Sequence, residues 1–199
     1  SIVTSYGREF GYAGKLELGK TSIKVNNDEL LYYSFTAESD GYYVITYPKA
    51  IEGNQVAVVW SLEKVNGEYE EVDGCFTEPN FSLFRFESGV KNIGIIFAIE
   101  YEAQNAEIEI QYLGSELTDI SFPDGTDYPL INNIDIMHNY SEYYALNIKK
   151  FSLVFNSGKS KEIVSSYYNY LDCTVEGSLK KSENTVVINF DDKQFTKTL

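Results

Sequence analysis

The chain has 199 residues, 43% apolar and 15% aromatic, which argues against disorder. Its 30 acidic and 16 basic side chains leave a net charge of −14. Such a charge disfavours a nucleic-acid partner, which needs a basic face, and attraction to anionic lipid. No apolar stretch reaches the length of a bilayer span, so membrane insertion is not expected.

Seventeen Tyr and twelve Phe beside a single Met favour strands over helices. Ser1 to Gly14 is weakly patterned and reads as a linker or a loose first strand. No charged-then-apolar leader opens it, which leaves open one removed ahead of Ser1. Leu16 and Leu18 alternate, Gly19-Lys20-Thr21 reads as a turn, and Ile23 and Val25 alternate again before an Asn26-Asn27-Asp28 loop. From Glu29 to Pro48, two tyrosine-rich runs of period two flank Glu38-Ser39-Asp40-Gly41, and the pair reads as a β-hairpin. Val56, Val58, Trp60 and Leu62 make a half-buried strand, and Asn66-Gly67 is the strongest hairpin signal in the chain. Further alternation covers Phe81 to Phe86, Ile93 to Tyr101, and Ile108 to Tyr112, giving eight or nine strands and no convincing helix.

A boundary falls at Leu113 to Leu117. Beyond it Ile120 and Phe122, Phe151 to Phe155, Leu171 to Val175, Val186 to Phe190 and Phe195 to Leu199 read as strands. Asn156-Ser157-Gly158-Lys159 and Asp191-Asp192 turn the chain, and Lys159 to Tyr170, irregular in its apolar spacing, is the one segment that could be helical. The expected fold is all-β, two consecutive antiparallel β-sandwich domains, residues 1–114 and 115–199. Residues 1–114 hold 8 basic and 18 acidic side chains, so most of the negative charge lies in the first domain. Cys75 and Cys173 fall one in each half, too few for a disulfide framework or an ordinary zinc site.

The order Leu16-Glu17-Leu18-Gly19-Lys20, then Glu29 to Phe35, then Ser39-Asp40-Gly41-Tyr42-Tyr43, closing with Ala106 to Gly114, resembles bacterial pre-peptidase C-terminal domains. The second half is similar to bacterial immunoglobulin-like surface modules, through Leu117-Thr118-Asp119-Ile120 and Phe151 to Phe155. The resemblance implies a jelly-roll-like sandwich followed by an immunoglobulin-like one. It also implies a non-catalytic module of a secreted or cell-surface bacterial protein, serving adhesion, spacing or ligand contact. The alternative is a carbohydrate-binding module appended to a secreted hydrolase.

Catalysis has little to work with. His138 is the single histidine and sits in a polar stretch without a nucleophile motif. With 30 acids, no carboxylate pair is diagnostic of glycoside hydrolysis. No enzyme activity and no organic cofactor are expected. Calcium is the one metal the chain would suit, through loop oxygens at Asn27, Asp28 and Asp40 and again at Asp124 to Asp127. Turn formation by Asx residues accounts for the same clusters without metal. For ligand contact the tyrosine pairs matter most, because adjacent residues of a strand face opposite ways. Tyr32, Tyr42 and Trp60 are the candidate platform for a protein or glycan at the cell surface, against the plainer role of cross-strand pairs within a sheet.

Overall fold

Every regular element among the described residues is a strand, as the composition favours. The computed structural model describes residues 1–49, 55–122, 130–134, 142–146, 150–164, 172–175, 183 and 185–198. No helix occurs among the described residues, hence none long and apolar enough to cross a membrane. The chain divides into two units, Ser1–Glu116 and Leu117–Leu199.

Among its described residues the first unit has eleven strands: β1 Ile2–Val3, β2 Glu9–Leu16, β3 Gly19–Lys24, β4 Leu31–Ala37, β5 Gly41–Thr46, β6 Ala57–Val65, β7 Glu68–Val72, β8 Phe76–Glu78, β9 Phe81–Phe86, β10 Gly89–Phe97 and β11 Asn105–Gly114. They form a six-stranded sheet in the order β1-β2-β4-β10-β6-β7 and a five-stranded sheet in the order β3-β11-β5-β9-β8. Alternate residues of both sheets, among them Tyr33, Phe35, Ile93 and Ile95 from one and Tyr43, Ile45, Ile108 and Ile110 from the other, meet in one buried core. This is the β-sandwich that period-two alternation predicts.

Two local expectations are overturned, and an open one is decided. The Glu29 to Pro48 segment is not a hairpin, because β4 and β5 belong to different sheets. Ser39-Asp40-Gly41 instead forms an arch that carries the chain from one layer to the other. The arch is held by its neighbours: Asp40 Oδ1 accepts the Ser88 N–H at 2.7 Å, Tyr112 Oη donates to the Asp40 carbonyl, and Tyr43 Oη donates to the Ser39 carbonyl. Gly19-Lys20-Thr21 is not a turn but the start of β3, again across the sandwich from β2. Of the two readings of Ser1 to Gly14, a linker or a loose first strand, the structure has the strand: the segment supplies β1 and most of β2. Strand β2 runs parallel to β4, the one departure from antiparallel pairing among the described strands, with a register shift between Tyr12 and Gly14.

The short hairpins appear where the turn residues place them. Asn66 and Gly67 adopt φ of 52° and 85° and join Val65 to Glu68 in the tight two-residue turn that matches strand twist.

The second unit contains β12 Leu117–Ser121, β13 Leu130–Ile134, β14 Glu142–Leu146, β15 Lys150–Phe155, β16 Ser160–Val164, β17 Asp172–Val175, β18 Thr185–Phe190 and β19 Lys193–Thr198. They pair as β12-β15-β16, β13-β14 and β17-β18-β19. Ile120, Phe151, Leu153, Ile163, Val186 and Ile188 are fully buried. Asp191 and Asp192, both at positive φ, turn β18 into β19. The stretch that a helix would tolerate begins as strand β16, and its remainder from 165 lies outside the described residues, as do His138 and 124–127.

Burial of tyrosine has a measurable consequence. Tyr47 is enclosed, with its hydroxyl 3.0 Å from Ser82 Oγ, and burial raises its pKa above the ordinary 10.0. Burial, reinforced by the Glu29 charge, raises Tyr33 likewise. A raised folded-state value means that the unfolded chain loses these protons first as pH climbs. The stability they carry is therefore complete below pH 10.0 and is lost as pH rises through the folded-state values. Urea midpoints measured from about pH 9 to about pH 11 should fall steadily, and Tyr47→Phe should reduce the slope. A slope identical in the Phe variant would show that Tyr47 contributes nothing to it.

Candidate functional site

The outer face of the six-stranded sheet, turned away from the core, carries the aromatic constellation. Gly94 on β10 pairs with Tyr32 on β4 and with Trp60 on β6, so both rings leave the same face on either side of a residue that has no side chain. They stand two strand spacings apart, about 10 Å. Tyr12 on β2 is level with Tyr32 and extends the row outward.

The gap over Gly94 is filled from the amino-terminal segment. Phe10 is fully buried, packs edge-on against Trp60 with centroids 5.9 Å apart, and forms a small cluster with Ile2 and Leu62. A Cβ at position 94 would lie 3.0 Å from Phe10 Cε1 and 3.3 Å from Leu62. The missing side chain is what lets the aromatic row close around Phe10. Arg8 continues the cover: its guanidinium lies 5.0 Å from the Trp60 ring and its Nε is 3.2 Å from Glu71 Oε1. Backbone bonding of Ser5 N–H to the Tyr69 carbonyl at 2.8 Å pins the strap to β7 at the far edge.

The platform expected from Tyr32, Tyr42 and Trp60 is thus divided. Tyr32 and Trp60 share a face, whereas Tyr42 lies on β5 in the other sheet and is fully buried, as is its neighbour Tyr43. Trp60 is half-buried beneath Phe10 and Arg8. The ring that meets solvent is Tyr12, 55% exposed, inclined at 52° to Tyr32 with centroids 5.3 Å apart. Tyr12 Oη is 3.3 Å from Ser34 Oγ. Ser34 also lines a cleft of about 400 Å³ where β2 leaves β4, together with Lys15, Glu17, Leu18, Thr36 and Glu38. An exposed ring beside a cleft of hydroxyls and charged groups can stack on an apolar surface and bond its polar rim. Tyr12 and Arg8 were missed because their segment lacks sustained alternation, although Phe10-Gly11-Tyr12 holds two aromatics at a spacing of two.

The calcium candidates do not come together. Asn27 donates its amide N–H groups to the carbonyls of Ala98 and Tyr101, and the Asp28 N–H bonds the Phe97 carbonyl. Asp40 sits beyond the other end of β4, about 20 Å along the strand direction. No group of three or more His, Cys, Asp or Glu suited to a metal gathers among the described residues.

Comparison with known proteins is sparse. The sequence matches no family model and no curated protein. Among solved structures, the chain is similar to the pre-peptidase C-terminal domain of collagenase from Bacillus anthracis. That likeness covers 52% of this chain and 98% of the domain, at 13% identity and a TM-score of 0.35.

Proposed function

We propose that the chain is a non-catalytic contact module of a secreted or cell-surface bacterial protein, and that its first unit binds a neutral glycan on the outer face of the six-stranded sheet. The observation that carries this reading is the exposed Tyr12 ring beside the polar cleft reached through Ser34. A sugar presents C–H groups on one face and hydroxyls around its edge. Tyr12 offers a surface for the first. Ser34, Thr36, Glu17 and Glu38 offer partners for the second. Tyr12, Ser34 and Thr36 stand on strands rather than on a loop, so the geometry of the ring and its nearest hydroxyls is fixed before any ligand arrives.

Calorimetry against a panel of neutral oligosaccharides tests the reading. At least one should bind, and Tyr12→Ala should weaken it about tenfold or more, equivalent to about 1.4 kcal/mol. Tyr6→Ala is the control, since Tyr6 is 87% exposed on the turn between β1 and β2 and lies outside the cleft. Binding that survives Tyr12→Ala unchanged, or a panel in which nothing binds, would remove the ledge as a glycan site.

A further inference from the structure

The six-stranded sheet forks between two of its inner strands. The ladder joining β10 to β6 runs only from the Ile93–Ser61 pair to the Phe97–Ala57 pair. Before Ile93, β10 is paired with β4 alone, as far back as Gly89. Beyond Ser61, β6 is paired through Val65 with β7. Between the parting strands lies a cavity of about 460 Å³. Leu62, Glu63 and Lys64 line one wall and Val90, Lys91 and Asn92 the other, with Ser61 at the apex and Phe86 of β9 at the base.

Successive residues of a strand direct their N–H and C=O groups to alternate sides, each side answered by a neighbouring strand. On the parting side of Glu63 and Lys64, and of Val90 and Lys91, the described residues supply no such neighbour. Neither a loop nor a side chain bonds these backbone groups instead, among the described residues. Unpaired ladder groups are a template for one kind of partner, a further strand. An extended residue in a sheet takes up about 160 Å³, from its rise, the strand spacing and the sheet spacing. The cavity therefore has room for about three of them.

The two faces of the fork differ in chemistry. Period two puts Asn92 on the outer face with Gly94, and Lys64 there with Trp60; Lys64 Nζ stands 5.3 Å from the centroid of the cross-strand Tyr69 ring. Lys91 and Glu63 lie on the inner face, where Lys91 Nζ is 5.7 Å from the centroid of the core ring Phe86. We propose that the fork receives an extended segment of a partner protein, about three residues long and apolar–acidic–apolar in order. Its backbone bonds the free groups of β10 and β6, and its alternate side chains point to opposite faces. The acidic one meets Lys64 and the Asn92 amide on the outer face. The two apolar ones turn inward over Phe86 and the stem of Lys91. The opposite order is disfavoured, because an acid turned inward would face the Glu63 carboxylate. No residue that lines the fork lines the Tyr12 cleft, so the fate of the neutral-glycan reading does not decide this one.

The test is an NMR titration of the full 199-residue chain. The probe is the capped tripeptide acetyl-Val-Glu-Val-amide, run beside the same peptide methylated on its backbone nitrogens. The unmethylated peptide should give saturable shifts at the amides of Leu62 to Lys64 and of Val90 to Asn92. The methylated one keeps the side chains but loses the strand donors, and should not. Lys64→Gln should weaken binding about threefold, the scale of an exposed ion pair. Tyr12→Ala, in the other cleft, should leave it unchanged. Unchanged shifts elsewhere in the spectrum show that each variant is folded. The inference fails if the methylated peptide binds as well, if neither peptide shifts these amides, or if Lys64→Gln binds as the parent chain does. It fails too if the same amides shift with protein concentration alone, which would put a second copy of the chain in the fork.

Discussion

Gly41→Ala should cost the first unit more than about 4 kcal/mol, a large part of the stability of an ordinary domain. Two independent penalties act at this residue. Its φ is 141°, a conformation that L side chains rarely adopt and that costs about 1–3 kcal/mol by itself. An added Cβ would also lie 2.3 Å from the Gly114 carbonyl oxygen and 2.7 Å from Ser115 Cα. Those atoms are backbone at the end of β11, the strand paired with β5, and of the residue that follows it, so no side chain can rotate away to make room. Gly67→Ala separates the two penalties. Gly67 also has positive φ, at 85°, but nothing lies within 4 Å of its would-be Cβ. Its loss should stay near about 1–3 kcal/mol. Urea unfolding followed by circular dichroism measures both, and equal losses would show that the close approach at Gly41 is not what holds the arch.

The same glycine explains what the sequence made legible and what it did not. Alternation in Leu31-Tyr32-Tyr33-Ser34-Phe35 and in Tyr43-Val44-Ile45 identifies two strands correctly, because the pattern is written within each strand. Whether two consecutive strands pair with each other is not written there. Asn66-Gly67 announces its hairpin because both residues must take the left-handed conformation of a two-residue turn, a local demand with a local signature. Ser39-Asp40-Gly41 uses similar residues for a different purpose. Its glycine is chosen by contact with Gly114, more than seventy positions away in the chain. The acidic and amide residues at 27, 28 and 40 show the same ambiguity. Oxygen-rich loops suit both metals and turns, and here Asn27 and Asp40 spend their side chains on backbone groups of distant segments.

The aromatic row was half legible. Tyr32 and Trp60 can be assigned to strands from the sequence, but their shared face depends on β10 entering between β4 and β6, which no spacing within either strand reveals. Tyr42 looked equivalent to Tyr32 because each begins a Tyr-Tyr pair. A pair guarantees one ring on each side of the sheet, not that one side is wet. Both faces of β5 are buried, from Gly41 through Ile45.

Phe10→Ala should remove about 3–5 kcal/mol from the unfolding free energy of the same unit. The segment that bears it has little periodicity, and a loose linker would lose almost nothing there. Phe10 is instead fully buried, touching the edge of Trp60 and the space that Gly94 leaves open. Truncation leaves a cavity bounded by β10 and β6 backbone, which cannot collapse inward because those strands are fixed by their own ladders. It also loosens the strap that positions Arg8 over Trp60. Trp60 is the only tryptophan, so its emission reports on this site alone. The variant should unfold at lower urea with an unchanged slope, and its native emission should shift to the red as water reaches the indole. Tyr6→Ala, on the exposed turn of the same segment, should alter stability by less than about 0.5 kcal/mol. If Phe10→Ala were equally silent, the amino-terminal segment would be an appendage, and the outer face would owe its shape to the sheet alone.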